Sequence, residues 1–223
     1  MFRSSRYVLT RFILFVLVLS APAAHAIEVA HGVSSSLLAH DRAVIWSRAD
    51  APADMLLEVL GPGGDIRHYR ERVDASTDFT ARVLVDELDI AAEYQYRVSF
   101  RDPGTGEISV PSVGRFTTPP DYWAPAGLRL AWGGDLAGQN VCRDSLQGFP
   151  VFRAIRQTQP DMFIGLGDMI YADGVCEIRG RYGNQQVPGD FSESSGLEQF
   201  RAHWRYNRDD PGLRGLQRDT LYI

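Results

Sequence analysis

The sequence predicts an all-β sandwich of immunoglobulin or fibronectin type, followed by the first part of an α/β domain. Three observations predict it. The first half of the chain is a succession of short alternating segments broken by turn residues. The run Thr118-Pro119-Pro120-Asp121 then interrupts the pattern, because paired prolines favour extended backbone and resist continuation of a strand. Beyond it, residues 128–173 read as strand, helix, strand, with an aspartate just past each strand.

The chain has 223 residues, 44% of them hydrophobic, and a formal charge of −5, which is ordinary globular material. Residues 1–26 stand apart. Arg3, Arg6 and Arg11 precede the apolar run 12–19, and Ala24-His25-Ala26 has the small-x-small form of a cleavage site. This reads as a secretory signal peptide, with export to the periplasm or the medium. The run is short for a bilayer span, and a retained membrane anchor is the competing reading. Loss of the three arginines takes the charge from −5 to −8, which argues against nucleic acid as a partner. All basic side chains apart from histidine are arginine, to which no function attaches.

Residues 27–118 form the expected sandwich. The clearest strands are 43–46, 55–60, 79–85, 94–100 and 113–117; Gly61-Pro62-Gly63-Gly64 and Asp102-Pro103-Gly104 mark the breaks. Tyr94, Tyr96, Val98 and Phe100 alternate with polar residues as a half-buried strand requires. Trp46 is expected in the core. His31, His40 and His68 are scattered and are read as structural; no metal cluster or nucleophile stands out. Residues 119–124 are the linker and 125–223 an incomplete α/β domain.

In that second part, 128–133 and 162–166 are short apolar runs like those of buried parallel strands, and each is followed by Gly-Asp. Pro150 suits a first helical turn, and Val151, Phe152 and Ile155 fall on one helical face. A right-handed crossover of this length places both strands in one sheet, so Asp135 and Asp168 leave it at the same edge, where ligands of open α/β sheets collect. Two carboxylates there repel unless protonated or bridged by a cation, and Tyr171, three residues after the second, can add a phenolate. Gly-Asp after a strand is also common turn chemistry; two such sites in one crossover favour a metal.

Gly133-Gly134-Asp135 and, about thirty residues on, the stretch GLGDMIYADG at 165–174 resemble the opening of the alkaline phosphatase D family of secreted metallophosphoesterases. The resemblance extends to the sandwich, since that family carries a small one ahead of its catalytic domain. It implies Asp135, Asp168 and Tyr171 as metal ligands, in a centre described with iron and calcium, and a phosphate ester as substrate. Two departures stand out. The cysteine described as an iron ligand precedes the first Asp motif, and this sequence has none there; nor is there an Arg-Arg pair for the twin-arginine export route, which other members use.

Cys142 and Cys176 are the only cysteines, seven and eight residues past the two aspartates. An even count in a secreted chain favours a disulfide, worth about 3 kcal/mol in the chain-entropy picture; the alternative is a thiolate bound to metal. Asn140 and Arg143 follow the first aspartate, where an amide or guanidinium can hold phosphate oxygens. Residues 179–190 read as a flexible Gly-rich loop. Ser195-Gly196-Leu197-Glu198 resembles a capping box, opening a helix whose apolar face is Leu197, Phe200 and Trp204, with His203 off the stripe and exposed. Residues 208–212 read as a loop, 213–218 as one helical turn and 221–223 as the start of a strand. With further acidic and histidine motifs of the family absent, the chain is expected to be an N-terminal portion, poorly active alone. The function expected of the intact protein is metal-dependent hydrolysis of phosphoric esters. The alternative is a non-catalytic binding or adhesion module built on the sandwich, which has no reason to keep GDMIY. The sequence carries no signal for oligomeric state.

Overall fold

The structure is a computed structural model that describes residues 26–223 apart from 122, 126 and 137. The leader reading therefore lies outside the described residues, save for Ala26. Among the described residues, no helix is long and apolar enough to cross a membrane.

Seven strands make the sandwich: β1 (Val29–Ala39), β2 (Arg42–Ala49), β3 (Ala53–Leu60), β4 (Ile66–Val73), β5 (Thr80–Val85), β6 (Glu93–Arg101) and β7 (Ser112–Thr117). They stack three on four, β5-β2-β1 against β4-β3-β6-β7, all antiparallel. Period-two burial explains the pairing: β6 turns Tyr94, Tyr96, Val98 and Phe100 inward, where they meet Met55, Leu57, Val59 and Ile45. Tyr94 stacks on Phe116, and its hydroxyl accepts from the Asp89 N–H at 2.8 Å, closing the corner into β6 in the way tyrosine corners do in such sandwiches.

Two strands escaped the sequence reading for physical reasons. In β1 the pairing register shifts between Val29 and Val33 around Gly32, which sits at φ 70°, and serines occupy inward positions, so the alternation is broken. In β4, an edge strand, charged residues face outward and only Val73 is buried. Trp46, expected in the core, is instead half-buried beneath the Arg208 guanidinium, 3.8 Å above its ring, because β2 presents that face to the second region.

The second region comprises β8 (Leu130–Gly133), α1 (Pro150–Gln157), β9 (Met162–Gly165), α2 (Leu197–Arg208), α3 (Pro211–Asp219) and β10 (Leu221–Tyr222). Strands β8, β9 and β10 are parallel, as the crossover rule demands. β10 also pairs with β1, Ser35 against Leu221, so one six-stranded sheet, β5-β2-β1-β10-β9-β8, runs through both regions. The β10 edge is thus covered by β1, and Leu221 buries itself in the sandwich core. A small cluster of Leu136, Phe149, Phe152, Phe163, Leu213 and Leu216 joins α1 and α3 to the sheet.

Pro150 takes the first turn of α1, and Phe152 is buried as expected, but Val151 is exposed. The expected loop at 208–212 is a sharp junction between two helices. Asp210 caps α3, its carboxylate accepting from the Leu213 N–H at 2.7 Å and the Phe149 N–H at 2.9 Å, and Pro211 opens that helix, which is longer than one turn.

The largest departure is α2. Leu197, Phe200 and Trp204, read as its buried face, are exposed, Leu197 at 66%, while His203, Tyr206 and Asn207 are buried. The helix lies on loops whose free backbone groups need polar partners, so its polar face goes inward. Ser195 is not the cap either: Gly196 holds that position, and the Gln199 side chain reaches back to the Ser195 N–H at 3.1 Å.

Candidate metal centre

β8 and β9 run side by side, Gly133 opposite Gly165, and both chains leave the sheet at that end. The two exits interlock: the Leu166 N–H donates to the Gly133 carbonyl at 2.8 Å, the Asp135 N–H to Gly167 at 3.3 Å, and the Leu136 N–H to Asp168 at 2.8 Å. Asp135 and Asp168 both adopt the left-handed region, φ 55° and 49°, a conformation aspartate tolerates better than most side chains. Both residues are exposed at the sheet edge.

Tyr171 returns over this edge, and its hydroxyl donates to Asp135 Oδ1 at 2.8 Å. That hydrogen bond, a share of burial, and the charges of Asp135 and Asp168 push the phenol pKa up to about 12. The ring lies against Gly138, where any Cβ would collide with it. Gly138 is a site residue that sequence reasoning missed; its signal is a lone glycine in the loop after the first aspartate. Among the described residues, no three His, Cys, Asp or Glu side chains gather as a metal site. Asp135, Asp168 and Tyr171 form instead an all-oxygen set of two carboxylates and one phenol.

Cys142 and Cys176 form a disulfide with their Cα atoms 5.8 Å apart, tying the loop after Asp135 to the loop after Tyr171. Asn140 and Arg143 serve the same region. The Asn140 amide donates to Arg179 O at 2.9 Å and accepts from the Glu177 N–H at 3.0 Å and Gln186 Nε2 at 2.6 Å. Arg143 is buried, with its guanidinium 4.1 Å over the Tyr206 ring. Gln186, itself buried, also accepts from the Cys142 N–H at 3.0 Å, so the loop 179–190 is pinned to the first aspartate loop where a flexible loop was expected. His203, expected to be exposed, is 5% exposed; it packs on Phe191 at 3.9 Å, and its Nε2 lies 3.2 Å from Ser192 O.

Residues 17–120 match the PhoD-like phosphatase N-terminal domain and residues 130–223 the PhoD-like phosphatase domain. The chain belongs to the PhoD-like phosphatase family. Among solved structures, that of PhoD is similar with a TM-score of 0.71 at 21% identity, over 91% of this chain and 39% of that one. The purple acid phosphatase PPD1 from seeds of yellow lupin (Lupinus luteus) gives 0.59 at 13% identity, over 89% of this chain and 34% of its own. At such identities the likeness is one of fold, and this chain spans well under half of either neighbour. No curated protein matches it. Within the PhoD-like fold, the two aspartate loops and Tyr171 stand at the junction that follows the sandwich.

Proposed function

We propose that the intact protein is a secreted, metal-dependent hydrolase of phosphoric esters, and that Asp135, Asp168 and Tyr171 hold its metal through oxygen. The observation that carries this reading is the Tyr171 phenol bonded to Asp135 with Asp168 beside it, on an edge built by two tight turns. Three hard oxygen donors suit calcium or ferric iron, the ions the family resemblance suggests. A metal held there lowers the pKa of bound water and stabilises charge on the phosphate oxygens. The residues' own part is to fix donors. Asp135 and Asp168 supply negative charge at the exposed sheet edge, and Tyr171 on losing its proton supplies a third anionic oxygen. Three ligands fall short of a pair of cations, whose further ligands would come from the part of the PhoD fold these residues do not span. Asn140 and Arg143 are committed to the loop framework, so a phosphate contact from either requires that loop to rearrange. Family membership supports the phosphoester substrate class, and the leader-like residues 1–26 support export.

The test is metal content by mass spectrometry, together with hydrolysis of an activated aryl phosphate and its diester, for the protein and for Asp168→Asn. We expect the substitution to lower bound metal and to abolish any hydrolysis. Equal metal content in the two proteins would overturn the assignment.

A further inference from the structure

Helix α2 lies between the sandwich and the aspartate edge and is polar on both of the faces it uses. Toward the sandwich, Arg205 bonds Asp78 at 2.8 Å, Arg208 covers Trp46, and Asp209, just past the helix end, lies 3.4 Å from His31. Toward the edge, Tyr206 donates to Val187 O at 2.6 Å and accepts from the Arg143 N–H at 3.2 Å. One turn of the helix therefore holds the loop after the first aspartate together with the 179–190 loop bonded to it.

Asn207 completes this face. Its Nδ2 donates to the Met169 carbonyl at 2.7 Å, and Met169 stands between Asp168 and Tyr171. An amide buried to 5% exposure costs free energy unless it is bonded. A carbonyl can only accept, so the NH2 end of the amide must face Met169. Asn207 also lines a small cavity, of about 10 Å³, together with Gly138, Tyr171 and both cysteines.

We propose that Asn207 is a positioning residue for the metal centre: through the Met169 carbonyl it fixes the turn carrying Asp168 and Tyr171, and α2 anchors that turn to the sandwich. The proposal rests on the metal reading above. Groups that orient ligands from behind change metal affinity by roughly 10–100-fold when removed, without touching the ion.

The test is a titration of the full chain with terbium(III), an oxygen-seeking calcium substitute, followed by tyrosine-sensitised luminescence and calcium competition. Thermal unfolding is measured alongside. The variants are Asn207→Asp, isosteric but unable to donate and repelled by the carbonyl, and Asp168→Asn. We expect Asn207→Asp to weaken terbium binding about tenfold or more, with a lower unfolding midpoint because its buried carboxylate is left unbonded, and with the protein still folded at the titration temperature. Unchanged affinity in Asn207→Asp, with Asp168→Asn clearly weakened, overturns the role of Asn207 and leaves the metal reading standing. Parent and Asp168→Asn binding alike overturns both. If Asn207→Asp does not fold, Asn207→Ser, which removes the amide without adding a charge, decides by the same measure, with at least a severalfold loss expected.

Discussion

Strands β6 and β8 show how differently the two regions are held. β6 buries four aromatic or aliphatic side chains in alternation, inside a continuous apolar core that spans both sandwich sheets. β8 buries none: its residues alternate between half-buried and exposed, and Trp132 is 63% exposed. The cluster beneath it contains six buried residues, and the remaining order comes from hydrogen bonds, a disulfide and contacts with the sandwich. The sandwich is therefore self-supporting, while the aspartate edge borrows its stability. Sites that must bind and release ligands are commonly drawn from such less stable parts of a fold.

The strongest way to break this comparison is to damage each core separately. Leu57→Ala, at a nearly inaccessible position of β3, should cost about 2–5 kcal/mol in urea unfolding and speed amide exchange in both regions, because the second leans on the first. Phe163→Ala in β9 should speed exchange in β8, β9 and β10 while β3 and β6 keep their protection. Loss of protection in β6 from the Phe163 change would show that the regions are one cooperative unit.

A smaller effect probes the joint between them. Burial first, then the charges of Arg48, Arg208, Arg214 and Arg205, lowers the His31 pKa from 6.5 to about 3, so the ring is neutral in the folded protein. Its Nδ1 faces Arg48 at 3.4 Å and must accept, which leaves the Nε2–H for Asp209. On acidification the unfolded chain takes up a proton that the folded chain refuses. Stability from this group is full above pH 6.5 and declines as pH falls from there toward 3. The slope should approach about 1.4 kcal/mol per pH unit over part of that range and flatten in His31→Gln. Unfolding midpoints between pH 7 and 5 that run parallel in the two proteins would remove His31 from the joint.

The smallest expected effect sharpens the account of α2. Leu197→Ser, on its solvent face, should change stability by less than about 0.5 kcal/mol. A loss of several times that size would mean that Leu197 packs against something after all.

Much of this molecule was legible because apolar alternation and turn chemistry are local. Five of the seven sandwich strands, the Pro150 start of α1 and the parallel pair ending in Gly-Asp could all be read without partners. The pairing of Cys142 with Cys176 followed from an even count and matching offsets from the two aspartates. β1 and β4 were hidden because a bulge and an edge position remove the alternation on which such reading depends.

What the sequence by itself determined is the order of the parts: sandwich, proline break, and two strands each delivering an aspartate to one edge. Tertiary structure alone decided three things: that β10 joins β1, that Tyr171 folds over Gly138 onto Asp135, and that α2 turns His203, Tyr206 and Asn207 inward. Hydrophobic periodicity reports only what a segment hides from water against apolar neighbours. A helix laid on loops meets unpaired carbonyls and N–H groups instead, and each of those must find a polar partner. Which polar side chains meet them depends on where the loops lie, and nothing in the periodicity of residues 197–208 records that.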